Sequence, residues 1–80
     1  MNTQTAVANR ILELCKAKNY SINYLSTLSA ISQSTVSDIV LGRSRNPGVV
    51  TLKKLCDGLE ISLTEFFDTE VFRNLEQEIR

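Results

Sequence analysis

Residues 25–42 read "LSTLSAISQSTVSDIVLG", and the fold turns on how they are divided. Ile22, Leu25 and Leu28 recur at helical spacing, and that pattern stops near Ser29–Ala30. Ser32 is a good N-cap only two residues later. After it, Val36, Ile39 and Val40 fall on one inward stripe, and Gly42 closes the segment because glycine enters the left-handed region at little cost. Two short helices, Ile22–Ser29 and Gln33–Leu41, are therefore joined by about three residues. A linker that short does not let them lie side by side, so they must cross steeply.

That geometry is a helix-turn-helix, in which the second helix enters the DNA major groove with its N-terminal residues on base edges. The outward face of the second helix has an unusual composition. Gln33 and Ser37 are i, i+4 neighbours, Ser34 and Asp38 are a second such pair, and Val36 and Ile39 lie opposite. Solvated helix faces usually carry Lys and Glu. Short donors and acceptors instead suit base edges, because long ammonium groups reach phosphates and read no sequence. Gln bonds adenine in pairs, and Ser serves several bases.

The flanking sequence is helical as well. Val7, Ile11, Leu14 and Cys15 mark a first helix from about 4 to 18, with Asn19 suited to its C-terminal cap. Ser21 is the expected N-cap of the second helix. Beyond the loop "GRSRNPG" (42–48), Thr51 is expected to cap a fourth helix bearing Leu52, Leu55, Cys56 and Leu59. Ser62 and Glu65 have capping-box spacing, so a fifth helix starts at Leu63 and carries Phe66 and Phe67. The closing "TEVFRNLEQEIR" (69–80) places Phe72, Leu75 and Ile79 at helical spacing. Such a short amphipathic segment must dock, on its own domain or on a dimer mate. No strand-type alternation occurs. The expected fold is all-α: five short helices in one compact domain over 1–68, and a tail over 69–80 that supplies a short sixth helix if it folds.

Composition narrows the function. Eighty residues fit one small domain. The net charge of zero hides an uneven distribution: residues 1–56 sum to +5 and residues 57–80 to −5. The basic part is free to face an anionic partner while the acidic end stays away from it. The absence of histidine excludes mixed Cys/His zinc sites and His-based catalysis. No Gly-rich phosphate loop or metal-ligand cluster occurs either, so the chain does not read as an enzyme and needs no cofactor. Cys15 and Cys56 read as buried free thiols. No apolar run is long enough to span a membrane and no signal-peptide pattern occurs, which points to a cytoplasmic protein.

The motifs "RILELCKAKNYS", "LSTLSAISQSTVSDIVLG", "NP" and "TLKKLCDGLEISLTEFF" follow one another in an order and spacing that resembles the Cro/repressor (XRE-type) helix-turn-helix family. The resemblance covers residues 10–67. It implies a compact five-helix domain that binds double-stranded DNA, is usually dimeric on a palindromic operator, and regulates transcription, whether as a repressor or as an activator. It places base contacts at Gln33, Ser34, Ser37 and Asp38. It places phosphate contacts in the loop, at Arg43, Arg45 and Asn46, and at the start of the second helix, at Ser21 and Asn23. Ile22 departs from the polar residue common at its position, which moves that role to Asn23. Asp38 has two readings: it accepts from a cytosine amino group, or it pairs with Arg43. Two further departures concern the backbone. The family usually has Gly in the turn and Gly after the fourth helix, where this chain has Ala30 and Glu60. If both sites need positive φ, each costs roughly 1 kcal/mol relative to Gly. The rival function is a protein-interaction module, such as an antitoxin or adaptor, that engages a partner protein through residues 69–80.

Overall fold

The computed structural model describes residues 1–44 and 46–79. Its helices are α1 (Thr3–Lys18), α2 (Ile22–Ser29), α3 (Gln33–Val40), α4 (Val49–Leu59), α5 (Leu63–Phe67) and α6 (Glu70–Arg73), and no strand occurs among the described residues. Local chemistry sets most of the boundaries. The side chains of Asn2, Ser21, Ser32, Ser62 and Thr69 each accept a hydrogen bond from a backbone N–H in the first turn of the helix that follows. At α5 the capping box is complete: Glu65 N–H donates to Ser62 Oγ at 3.0 Å, and Ser62 N–H donates back to Glu65 Oε1 at 3.2 Å.

One start differs from expectation. Helix α4 begins at Val49, two residues before Thr51, behind a Gly48 N-cap that offers no side chain. Val49 and Val50 are 70% and 68% exposed. They add nothing to the apolar stripe, so spacing could not detect that first turn.

Three helix ends share one device. Asn19, Ala30 and Glu60 all adopt the left-handed conformation, with φ of 59°, 56° and 60°. After α2, Ala30 N–H bonds Thr27 C=O at 3.3 Å and Ile31 N–H bonds Ser26 C=O at 3.1 Å. The same pair of bonds closes α1 (Asn19 to Lys16, Tyr20 to Cys15) and α4 (Glu60 to Asp57, Ile61 to Cys56). Each is a Schellman motif, and the residue after the cap (Tyr20, Ile31, Ile61) folds back onto the core. The positive φ expected at Ala30 and Glu60 is therefore present, without glycine at either.

The core is one cluster. Ile11, Leu25, Val36, Leu55, Cys56, Leu59 and Phe66 are fully buried, and Val7, Cys15, Ile39 and Leu52 join them. Helices α2 and α4 make the most extensive contact. Gly58 permits their approach, because a Cβ there would lie 2.3 Å from Ser29 Oγ. Ser29 Oγ is itself buried with no hydrogen-bond partner among the described residues. Arg10 ties α1 to α5: its Nε donates to Phe66 C=O at 2.8 Å and its Nη2 to Glu65 C=O at 2.8 Å. A cation at the C-terminal end of a helix satisfies carbonyls that have no helical partner.

The C-terminal segment departs from continuous helical spacing. Helix α6 has four residues and ends at Arg73. Phe72 docks on the chain's own core, its ring centroid 4.9 Å from Phe67 and 6.0 Å from Phe66. Ile79 is 75% exposed and residues 75–79 are not helical. A segment this short does not propagate a helix without apolar contact along its length.

Candidate nucleic-acid interface

Helix α3 is held by its inner side and bare on its outer one. Val36 and Ile39 are 0% and 2% exposed, whereas Gln33, Ser34 and Thr35 are exposed and Ser37 and Asp38 half-exposed. The four residues expected on one polar face, Gln33, Ser34, Ser37 and Asp38, do share it. The face also holds hydroxyls that spacing alone gave no reason to select. Ser32 Oγ lies 2.8 Å from Thr35 Oγ1 and 3.3 Å from Ser34 Oγ, while also accepting from Thr35 N–H at 3.2 Å. The cap residue and the first turn therefore form one small hydroxyl cluster. No acidic side chain stands in that turn, so the positive end of the helix dipole is not neutralised locally.

Behind α3 the chain turns at Leu41 and at Gly42, whose φ is +78°. The carbonyl of Asp38 accepts from both Arg43 N–H (2.8 Å) and Ser44 N–H (3.0 Å), which fastens the start of the loop to the last turn of α3. The Asp38 side chain meets Arg43 as well, with Oδ1 3.5 Å from Nη1. Of the two readings of Asp38, this geometry shows the pairing. The Arg43 and Asp38 side chains are 68% and 47% exposed, so the pair is solvated and adds at most about 1 kcal/mol. Asn46 is exposed farther along the loop, and Arg45 lies outside the described residues. A further contact comes from α1: Gln4 Nε2 donates to Gly42 C=O and couples the first turn of α1 to the end of α3. The two residues are 38 positions apart, and no local pattern announces the bond.

At the start of α2, Ser21 is exposed and its Oγ accepts from Tyr24 N–H at 3.0 Å. Its hydroxyl proton is still able to point outward. Asn23 is exposed beside it, and its carbonyl takes the hydroxyls of Ser26 (2.7 Å) and Thr27 (3.1 Å). Tyr24 stacks edge-on against Tyr20, with centroids 4.9 Å apart. Lys53 pairs with Asp57 on the solvated side of α4.

No group of His, Cys, Asp and Glu able to hold a metal occurs among the described residues. Burial pushes both thiols up from their ordinary value, and around Cys56 the nearby charges of Lys53, Asp57 and Arg10 partly offset one another. Both cysteines are free and buried. No described helix is long and apolar enough to cross a membrane.

Comparison with known proteins gives a consistent set of relatives. The model of the helix-turn-helix family HTH_3 matches residues 11–66. The HTH-type transcriptional regulator SlrR of Bacillus subtilis (strain 168) is 48% identical over 62 residues, covering 76% of this chain and 41% of SlrR. The chain thus spans less than half of that relative. Among solved structures, prophage Lp1 protein 11 superposes with a TM-score of 0.81 at 36% identity, covering 94% of this chain and 100% of that one. An HTH_3 family transcriptional regulator from Vibrio cholerae superposes with a TM-score of 0.77 at 30% identity, covering 84% of this chain and 37% of that one.

Proposed function

The chain belongs to the HTH_3 helix-turn-helix family, and from that premise we propose that it regulates transcription by binding duplex DNA, with α3 as the reading element in the major groove. One observation carries this reading. The exposed side of α3 consists of short hydrogen-bonding side chains, and the loop anchored directly behind it presents Arg43. Gln33 and Ser34 lie nearest the N-terminal end of α3 and contact base edges, with Ser37 one turn on. Asp38 has a part in both states. In the free protein it pairs with Arg43. On DNA that weak pair opens, Arg43 turns to a phosphate, and the carboxylate accepts from a cytosine amino group. Asn46 and Arg45 extend the phosphate contacts along the loop, and Ser21 and Asn23 supply them at the start of α2.

Two copies of the chain on a palindromic operator would place their α3 helices in successive major grooves, about one helical turn apart. Residues 1–68 carry the DNA-binding unit and 69–80 form an appended tail. The docking of Phe72 on its own core supports an intramolecular role for the tail over capture of a partner protein.

Selection of bound sites from random duplex DNA with the purified protein tests the proposal. A palindromic consensus supports both sequence-specific binding and dimer symmetry. A consensus without a dyad removes the dimer, and no enrichment removes the DNA-binding reading.

A further inference from the structure

The acidic end of the chain does not stay away from the basic part. Beyond α6 it folds back along the first turn of α1. Glu76 N–H donates to Met1 C=O at 3.4 Å, the Glu76 carboxylate lies 3.6 Å from the Met1 amino group, and Thr3 Oγ1 donates to Glu78 Oε2 at 2.8 Å. Helix α1 has no acidic residue in its own first turn, so these carboxylates are the negative charges that its dipole meets. Here they border the proposed DNA-facing edge. Gln4, next to Thr3, holds the carbonyl of Gly42, and one cleft of about 620 Å³ is lined jointly by Thr3, Gln4, Asn46, Pro47, Glu76 and Glu78. The attachment is slight. Every one of its polar contacts is exposed, no helix supports it, Leu75 is half-buried, and Ile79 is 75% exposed.

We propose that residues 74–79 are an autoinhibitory strap, whose Glu76 and Glu78 are held in the cleft beside the phosphate-contacting loop and lower DNA affinity until the strap is displaced. The inference rests on the DNA-binding reading above. Negative charge fixed next to the loop repels an approaching phosphate backbone, and binding must expel or bend away the segment that carries it. The attachment is weak enough for DNA itself to do this, so the strap sets a threshold and not a block.

The test uses the full chain, ¹⁵N-labelled, titrated with a mixed-sequence duplex at low salt. The α3 and Arg43 amides should shift on DNA addition, and the amides of 74–79 should move to the sharp, random-coil positions of a released segment. E76Q/E78Q should bind the duplex about 3- to 10-fold tighter, an effect that shrinks as salt rises. Thr3→Ala keeps every charge and loses the hold on Glu78, and should bind about twofold tighter. E13Q/E60Q removes the same net charge away from the cleft and should change affinity less than either. If the α3 amides shift while 74–79 stay put and Thr3→Ala binds as the parent does, the strap is wrong and DNA binding stands. An equal gain from E13Q/E60Q also overturns it, since bulk charge then explains the effect. If the α3 amides never shift, the DNA-binding reading falls and the strap falls with it.

Discussion

Replacing Ala30 and Glu60 with glycine should make the domain more stable. Both residues hold φ near +60°, both are exposed, and neither side chain makes a hydrogen bond or ion pair among the described residues. A non-glycine residue in the left-handed region costs about 1–2 kcal/mol. Glycine removes that cost but adds unfolded-chain entropy worth about 0.4–1 kcal/mol. The net gain is about 0.5–1 kcal/mol at each site. The two caps close different helices and share no hydrogen bond, so the gains should add. For a domain of this size 1 kcal/mol moves Tm by about 4–8 °C, which gives Ala30→Gly/Glu60→Gly a rise of about 4–16 °C. Asn19 supplies the internal control: it has the same φ, but its side chain tolerates that region, so Asn19→Gly should change little. Calorimetry and urea titration on the four variants would measure this, with the denaturant midpoint moving at constant m. A double variant no more stable than the parent, or an equal gain from Asn19→Gly, would refute the reasoning.

Other substitutions test the packing and the site. Gly58→Ala drives a methyl into Ser29 Oγ at 2.3 Å and should cost about 1–3 kcal/mol, whereas Ser29→Ala removes a buried unpartnered hydroxyl and should be neutral or stabilising. Together they should recover much of the loss, measurable as a coupling energy in a double-mutant cycle. Gln33→Ala should cost about 1–3 kcal/mol on the selected site and relax preference at one base pair. An unchanged ranking across single-base variants would show that Gln33 does not read. Arg43→Ala should weaken all sequences alike and reduce the salt slope by about one. Both thiols are raised in the folded state, so their stabilising contribution is complete below the unfolded thiol range and is lost as pH climbs through and beyond it. Urea midpoints should therefore fall above about pH 9 in the parent and fall less in Cys15→Ala/Cys56→Ala.

Local chemistry made most of the fold legible. Ser21, Ser32 and the Ser62–Glu65 box announce their helices because a cap is a contact within four residues, and the apolar stripes of α1 to α4 announce the core. The start of α4 was hidden because Val49 and Val50 face solvent and Gly48 caps without a side chain. The short sixth helix is legible in the tail but its end at Arg73 is not, because Phe72, Leu75 and Ile79 have helical spacing while only Phe72 finds a deep partner. The polar face of α3 could be read residue by residue. The bond from Gln4 to Gly42 and the seating of Glu76 and Glu78 could not, since they join positions that only the folded chain brings together.

The clasp of Arg10 on the last carbonyls of α5 has a consequence for biosynthesis. It spans 56 positions, so a chain emerging from the ribosome cannot close it until Phe66 has cleared the exit tunnel. At about 5–20 residues per second, synthesis from Arg10 to Phe66 takes roughly 3–11 seconds, during which α1 lacks its hold on α5. The tie between α1 and α5, and the burial of Phe66 beside it, are thus late events in folding. A nascent chain stalled short of α5 should be a ready client for chaperones and proteases.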